Sequence, residues 1–521
     1  MIENRQLDFD YIVIGSGFGG SVAALRLSEK GYKVLVIEKG RWYHAKDFAK
    51  TNWNLKRWLW IPLFKFYGIF KITFFRHVGI LSGVGVGGGS LVYANTLPVP
   101  KDEFFIAKSW AHLADWKKEL SKFYELSSKM LGVVKNPRLE NGDLALKKLS
   151  KEINKETAFE PTDVAVYFGE PGKTVEDPYF NGDGPERAGC IFCGACMVGC
   201  RENAKNSLDK NYLYLAQKKG AQIKAESIVY DIVHLYDQNC YEVYWKSSTK
   251  FFKKKGKYVT KGIVFAGGVL GTLPLLLKLK KTTFPKLSEK VGYNVRTNSE
   301  SLMGIVAPQK ETVFSDGIAI GSILHTDEHS HLEPVRYPSG SGFWRLQIAP
   351  LVIGENVFTR LLKSIFEIIK HPIKYFKLYF VRDWAKRTQI LLYMRTISGT
   401  LRFKNGWFRM KSAIGEGTLP TAFLPEANKL AKKYAEIVNG TPGALLSEII
   451  FGIPTTAHIL GGATMGANTE EGVIDKNNRV FGYENMYVCD GSMISANPGV
   501  NPSLTILALS ERAMSKIPLK N

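Results

Sequence analysis

Tyr11 to Ile14 is a short apolar run, Ser21 to Lys30 reads as a helix, and Lys33 to Ile37 is apolar again. This order predicts a buried parallel strand, a helix stopped by Gly31, and a second parallel strand. Near the far end, Met486 to Cys489 predicts a strand and Asp490–Gly491–Ser492 a turn. A helix should follow, with Pro502 in its first turn and Asn501 at or beside its N-cap. Between these ends, "NVFTRLLKSIFEIIKHPIKYF" sets Val357, Phe358, Leu361, Leu362, Ile365, Phe366 and Ile369 at helical spacing. Basic residues fill its other face, and Pro372 breaks the run. No stretch reaches eighteen apolar residues without charge, so no membrane-spanning helix is expected. The first strand begins almost at once, without a basic and apolar leader, so no cleavable signal is expected.

A chain of 521 residues can bury one large core or two or three domains. Its composition, 45% hydrophobic and 23% charged, excludes a disordered or low-complexity protein. Six cysteines in so long a chain argue for a reducing compartment, here read as the cytoplasm. The net charge of +22 is unevenly placed. Phe48 to Lys101 holds no acidic residue, and its lysines and arginines interleave with Trp53, Trp58, Trp60, Phe64 and Phe70. Glu355 to Lys411 holds thirteen Lys and Arg against three acids. Two readings fit: helices that are core on one face and solvated on the other, or peripheral attachment to an anionic, inner membrane surface. No nucleic-acid motif is present, so no nucleic-acid partner is expected.

Candidate chemistry begins at Gly15, Gly17 and Gly20, a G-x-G-x-x-G between strand and helix. The first glycine permits the tight turn, the second lets backbone approach a pyrophosphate, and the third lets helix and strand close up. The helix N-terminus favours the anion, and Glu38 at the end of the second strand can accept from a ribose hydroxyl. A second glycine cluster, Gly85, Gly87, Gly88 and Gly89 followed by Ser90 and Asn95, can lie flat against a large planar ligand. That favours an isoalloxazine over a nicotinamide. His458 precedes a Gly–Gly pair in "TAHILGGATMG".

In this order, the fingerprint, "VGGGSLVYANT", "VFAGGVLGTLPLLL", "VGYNVRTNS", "HILGG" and "DGSMISANPGVNPSLTILALSER" resemble the glucose–methanol–choline family of FAD-dependent alcohol oxidoreductases. "NSLDKNYL" and "LEPVRYPSG" resemble its non-covalent, cholesterol-oxidase-like branch. The resemblance implies a mixed α/β fold: a discontinuous, Rossmann-like FAD domain over 1–50, 78–100, 186–300 and 455–521, and a sheet-containing substrate domain over 101–185 and 301–454. Residues 51–77 would be a lid or entrance excursion. Gly15, Gly17, Gly20, Glu38, the glycine cluster, Ser90, Asn95, Asp490, Gly491, Asn501 and Pro502 would contact non-covalent FAD. His458 would take the hydroxyl proton, Asn501 would hydrogen-bond the same oxygen, and Glu333 would move a proton if the steroid product isomerises. The substrate would be a sterol or long lipid alcohol, and the electron acceptor dioxygen or a carrier. A flavin- or lipid-binding protein without turnover, and a nicotinamide enzyme, are the alternatives.

Cys190, Cys193, Cys196 and Cys200 stand apart from that resemblance. Their C-x2-C-x2-C-x3-C spacing is that of ferredoxin-type ligands to a [4Fe-4S] cluster. Arg201 follows where such motifs carry proline, and no second set exists. Zinc and idle structural thiols are the alternative readings.

Overall fold

The computed structural model describes residues 6–521, apart from 355, 398, 418–420 and 423. Two seven-stranded sheets organise it. In the first, the strand Phe9–Ile14 pairs in parallel with Val34–Ile37 on one side and Lys255–Phe265 on the other. Gln222–Lys224 and Met486–Val488 add parallel edges, and an antiparallel ribbon, Ser227–Leu235 with Cys240–Ser247, extends beyond Lys255–Phe265. The apolar run read at Tyr11 to Ile14 is therefore a central strand. Its Ile12 and Val13 are fully buried, as a parallel strand covered on both faces requires.

The helix Phe18–Glu29 starts three residues earlier than its sequence signal, at the end of the glycine turn. It packs against Ser503–Ser515, the C-terminal helix, all of whose residues through Met514 are buried. Pro502 caps that helix, and Asn501 precedes it without capping it. The strand read at Met486 to Cys489 is Met486–Val488, and Asp490–Gly491–Ser492 enters a single tight turn of helix.

The second sheet is antiparallel throughout, in the order Ile348–Pro350, Thr441–Leu445, Ser301–Val306, Thr388–Arg395, Ser330–Val335, Ser322–His325 and Phe159–Pro161. One face is covered by the helices Asn141–Glu152 and Pro425–Ile437, which meet Leu324, Leu332 and Leu391. The other face carries Ile320, Val335, Leu392 and Met394 and closes, with Ala94 and Met197, over the space between the sheets. A cavity of about 900 Å³ lies there.

The helix Val357–Lys370 forms as its spacing predicts, but its apolar stripe does not point inward. Arg360 and Ser364 are its buried residues. The reading in which that stripe is core therefore fails. No helix among the described residues is long and apolar enough to cross a membrane.

Candidate active site

The first glycine turn opens directly on the cavity. Gly15 has φ +106°, and a Cβ there would sit 2.4 Å from the Ala266 carbonyl oxygen. A Cβ on Gly20 would sit 2.1 Å from the Gly15 carbonyl oxygen, so strand and helix approach only because both lack side chains. Gly17 differs: nothing lies within 4 Å of where its Cβ would be, and it lines the cavity at the uncapped start of Phe18–Glu29. An open cradle at a helix N-terminus, walled by glycines, is what a dinucleotide pyrophosphate needs. The residues present therefore fit FAD. Replacing Gly20 with alanine is expected to cost about 1–3 kcal/mol of stability and to lower the flavin content of purified protein, read as the 450 nm to 280 nm absorbance ratio.

Glu38 is buried, lines the cavity and is locked in place: Gly40 N–H donates to Oε1 at 2.8 Å, and Ser16 donates to Oε2 from Oγ at 2.8 Å and from N–H at 3.1 Å. Ser16 Oγ also accepts from Gly87 N–H at 3.1 Å, tying the first glycine turn to the second cluster. Within that cluster Gly88 and Gly89 line the cavity. Gly85 and Gly87 hold the loop's shape behind them, at φ +140° and +102°. The Ser90 hydroxyl donates to the Gly87 carbonyl at 2.7 Å and accepts from Leu208 N–H at 3.0 Å. Asn95 is buried with neither amide atom in a hydrogen bond of normal geometry, between Ala94 and Thr96, which do line the cavity. Asp490, Gly491 and Pro502 line it too. Asp490 accepts from Gly268 N–H at 2.8 Å and Thr272 Oγ1 at 2.6 Å, fastening the last crossover to the first sheet.

His458 projects into the same cavity, its side chain 13% exposed. Its Nδ1 lies 2.7 Å from Oε1 of Glu300, a fully buried carboxylate just before the second sheet's strand Ser301–Val306. Glu300 is fixed in turn by Thr456 Oγ1 at 2.7 Å and Ala457 N–H at 2.9 Å. An ionised carboxylate accepts only, so Nδ1–H is the donor of this pair, and in the neutral ring Nε2 is the acceptor. Glu300 is the residue that sequence reasoning missed. Its one signal was position: it follows directly on "VGYNVRTNS".

Asn501 lines the cavity, and its buried Oδ1 has no hydrogen-bond partner. Behind it stands Glu333, fully buried, both of whose oxygens lack a hydrogen bond of normal geometry. Glu333 shares its strand face with the cavity wall, since it pairs across the sheet with Leu392 and Leu392 with Leu302, both lining residues. Burial pushes its carboxyl up to about 8; the Asn501 amide nearby opposes this and the like charge of Glu300 adds to it. His331, also missed from sequence, lies 3.6 Å from Glu333 and is pushed down to about 3 by burial, with His325 and Lys101 adding to the effect. Glu300, His458, His331, Glu333 and Asn501 thus form one polar cluster at and behind the cavity wall. Unpartnered polar atoms in such a place point to a ligand that completes them.

The cysteine segment supports no iron–sulfur site. Among the described residues, no group of three or more His, Cys, Asp or Glu could hold a metal ion. Cys190, Cys196 and Cys200 are instead parts of a small apolar cluster with Val164, Val166, Ala204 and Ile318, and Cys193 is exposed. Burial pushes the Cys193 sulfur up to about 11 and that of Cys190 further. The structural-thiol alternative fits this loop, which folds around apolar neighbours, Phe192 stacking on Phe168 at 5.5 Å. What the loop does place is Met197, against the cavity.

Comparison with known proteins agrees with this architecture. Residues 13–43 match the Rossmann-like NAD(P)-binding domain, and residues 184–296 and 382–510 match the GMC oxidoreductase models. A cholesterol oxidase of Acinetobacter baumannii is 44% identical over 99% of this chain and 95% of its own length. One from Mycobacterium tuberculosis is 41% identical over 98% and 92%. A long-chain-alcohol oxidase of Arabidopsis thaliana is 25% identical over 98% of this chain and 67% of its own. The solved structure of pyridoxine 4-oxidase from Mesorbium loti shares the fold, with a TM-score of 0.62 over 97% of this chain and 98% of that one, at 14% identity. On the strength of near-complete relatives above 40% identity, and of the two matched segments, the chain belongs to the GMC oxidoreductase family.

Proposed function

We propose that the protein oxidises the hydroxyl of a bulky apolar alcohol, a sterol or long-chain lipid alcohol, with non-covalent FAD as the hydride acceptor and dioxygen as the final acceptor. The observation that carries this reading is the His458–Glu300 pair, set in the wall of a large, mainly apolar cavity that also contains the glycine cradle. FAD is the cofactor that the family implies, and relatives named for cholesterol and long-chain alcohols support the substrate class.

Bound in the cradle, FAD would supply the two-electron acceptor for the carbinol hydrogen. Gly15, Gly17, Gly20, Glu38, Gly88, Gly89, Asp490, Gly491 and Pro502 would hold it. The hydroxyl proton goes to His458 Nε2, and the Glu300 carboxylate at Nδ1 fixes the ring and faces the positive charge that forms. The Asn501 amide hydrogen-bonds the same oxygen. The N-terminus of Ser503–Ser515, which meets the cavity at Pro502 and Ser503, favours negative charge there. Glu333 is assigned to a second proton movement, from the carbon α to a new ketone to the γ carbon of a neighbouring double bond. The flavin half is assigned to 1–50, 78–100, 186–300 and 455–521 and the substrate half to 101–185 and 301–454, with 51–77 as the excursion beside the entrance. The substrate is taken from a lipid phase, an anionic membrane surface being the source.

Holoenzyme mixed with cholesterol or a long-chain alcohol under argon is expected to lose its 450 nm absorbance, and to regain it with release of hydrogen peroxide when air is admitted. An unbleached flavin with both classes of alcohol would defeat the reading.

A further inference from the structure

The helix Val357–Lys370 and its successor Pro372–Phe380 are built with their apolar sides outward. The inward residues of the first are Arg360 and Ser364. Arg360 is anchored inward, donating from Nε to the Ile449 carbonyl at 2.8 Å and from Nη1 to the Gly354 carbonyl at 3.0 Å. On the outer side Phe358, Ile365, Ile369, Ile373, Phe376 and Phe380 are 53–71% exposed. Lys363, Lys370, Lys374 and Lys377 stand exposed among them, and Glu367 is the one acid in both helices. A continuous apolar surface of this kind is rare on a free soluble protein and marks a contact.

Two observations say what makes the contact. The first is charge. An apolar stripe edged by lysines suits a bilayer with anionic headgroups, into whose interface such helices insert side by side. A second copy of this chain would set the same lysines against each other. The second is position. Tyr375 and Leu378, on the inner face of Pro372–Phe380, pack on Ile348 and Trp384, and Trp344 joins them. Trp344, Ile348 and Trp384 line the cavity on their other side. The outward surface is thus one layer of side chains from the substrate space.

We propose that Val357–Lys370 and Pro372–Phe380 form the docking surface for an anionic lipid bilayer, and that docking there sets the cavity against the phase that holds its substrate. The second half of this statement rests on the apolar-alcohol reading; the first does not, because binding is read without turnover.

The test uses full-length holoenzyme and sucrose-loaded vesicles of phosphatidylcholine with ~30% phosphatidylglycerol, or of phosphatidylcholine alone. Sedimentation with the anionic vesicles is expected at ~20 mM salt, weaker at ~500 mM as screening shortens the reach of the lysines. The double variant Ile369→Glu, Phe376→Glu is expected to lower the partition coefficient at least tenfold. Both positions are exposed, so its flavin content, its melting temperature and its flavin bleaching by sterol in detergent micelles should match the parent. Equal partition of parent and variant overturns the proposal. So does absence of binding at low salt, or a concentration-dependent dimer that the same substitutions dissolve. Vesicle binding by a protein whose flavin no alcohol bleaches would leave the docking surface standing and remove the oxidation reading.

Discussion

Replacing His458 with alanine is expected to slow reduction of the bound flavin by a sterol roughly 10²- to 10⁴-fold, the range a positioned general base supplies. The alcohol C–H can leave as hydride only as the O–H proton departs, and His458 Nε2 is its proposed acceptor. Glu300→Gln should cost less, on the order of 10²-fold. The amide keeps the size of the carboxylate but loses the charge that faces the imidazolium, and it can offer its NH₂ to Nδ1 and so select the wrong tautomer. Because Glu300 touches His458 rather than the substrate, it is a positioning residue, and its loss should lower kcat with KM unchanged. Anaerobic stopped-flow at 450 nm reads both rates. A loss below about threefold for His458→Ala would move the proton to another group. A rise in KM equal to the fall in kcat for Glu300→Gln would make that carboxylate structural.

How far the sequence led can be judged residue by residue. The turn at Gly15, Gly17 and Gly20 was legible because its requirements are local: one positive φ and two approaches that a Cβ would block within a few residues or one strand pairing. His458 and Asn501 were legible only through ordered motifs, since nothing local brings residues so far apart to one cavity. Glu300 was not legible. Its partner is 158 positions away, and a carboxylate beside Ser299 and Ser301 looks like any surface acid until the sheet buries it. His331 escaped for the same reason. The stripe at Val357 to Ile369 shows the limit from the other side: periodicity predicts which residues share a face but not which face the protein covers. At Cys190 to Cys200 the spacing left iron–sulfur, zinc and structural thiols open, because ligand geometry is a property of the folded loop, and the described residues hold no group that supports the metal readings.

Glu333→Gln is expected to abolish double-bond isomerisation of a β,γ-unsaturated steroid ketone, to below about 1% of the parent rate, while sterol oxidation keeps most of its speed. A base must be ionised to act, and burial holds the Glu333 carboxyl near 8 from an ordinary value of 4.5. Isomerisation by the parent enzyme should therefore rise with pH through about 8, where oxidation, which relies on His458, does not follow the same curve. Stability runs the opposite way. The folded site prefers the protonated acid, so Glu333 contributes its stabilisation fully below pH 4.5 and loses it as the pH climbs through 8. The glutamine variant keeps the shape and cannot ionise, so its melting temperature should exceed that of the parent at pH 9 and converge with it at pH 5. Supplying the ketone directly separates the two activities, because isomerisation then proceeds without any alcohol being oxidised. Equal loss of oxidation and isomerisation would show that the substitution had disturbed the cavity as a whole. An isomerisation rate independent of pH between 6 and 9 would remove this carboxylate from the proton transfer, leaving its two unpartnered oxygens beside Asn501 to be completed by the substrate instead.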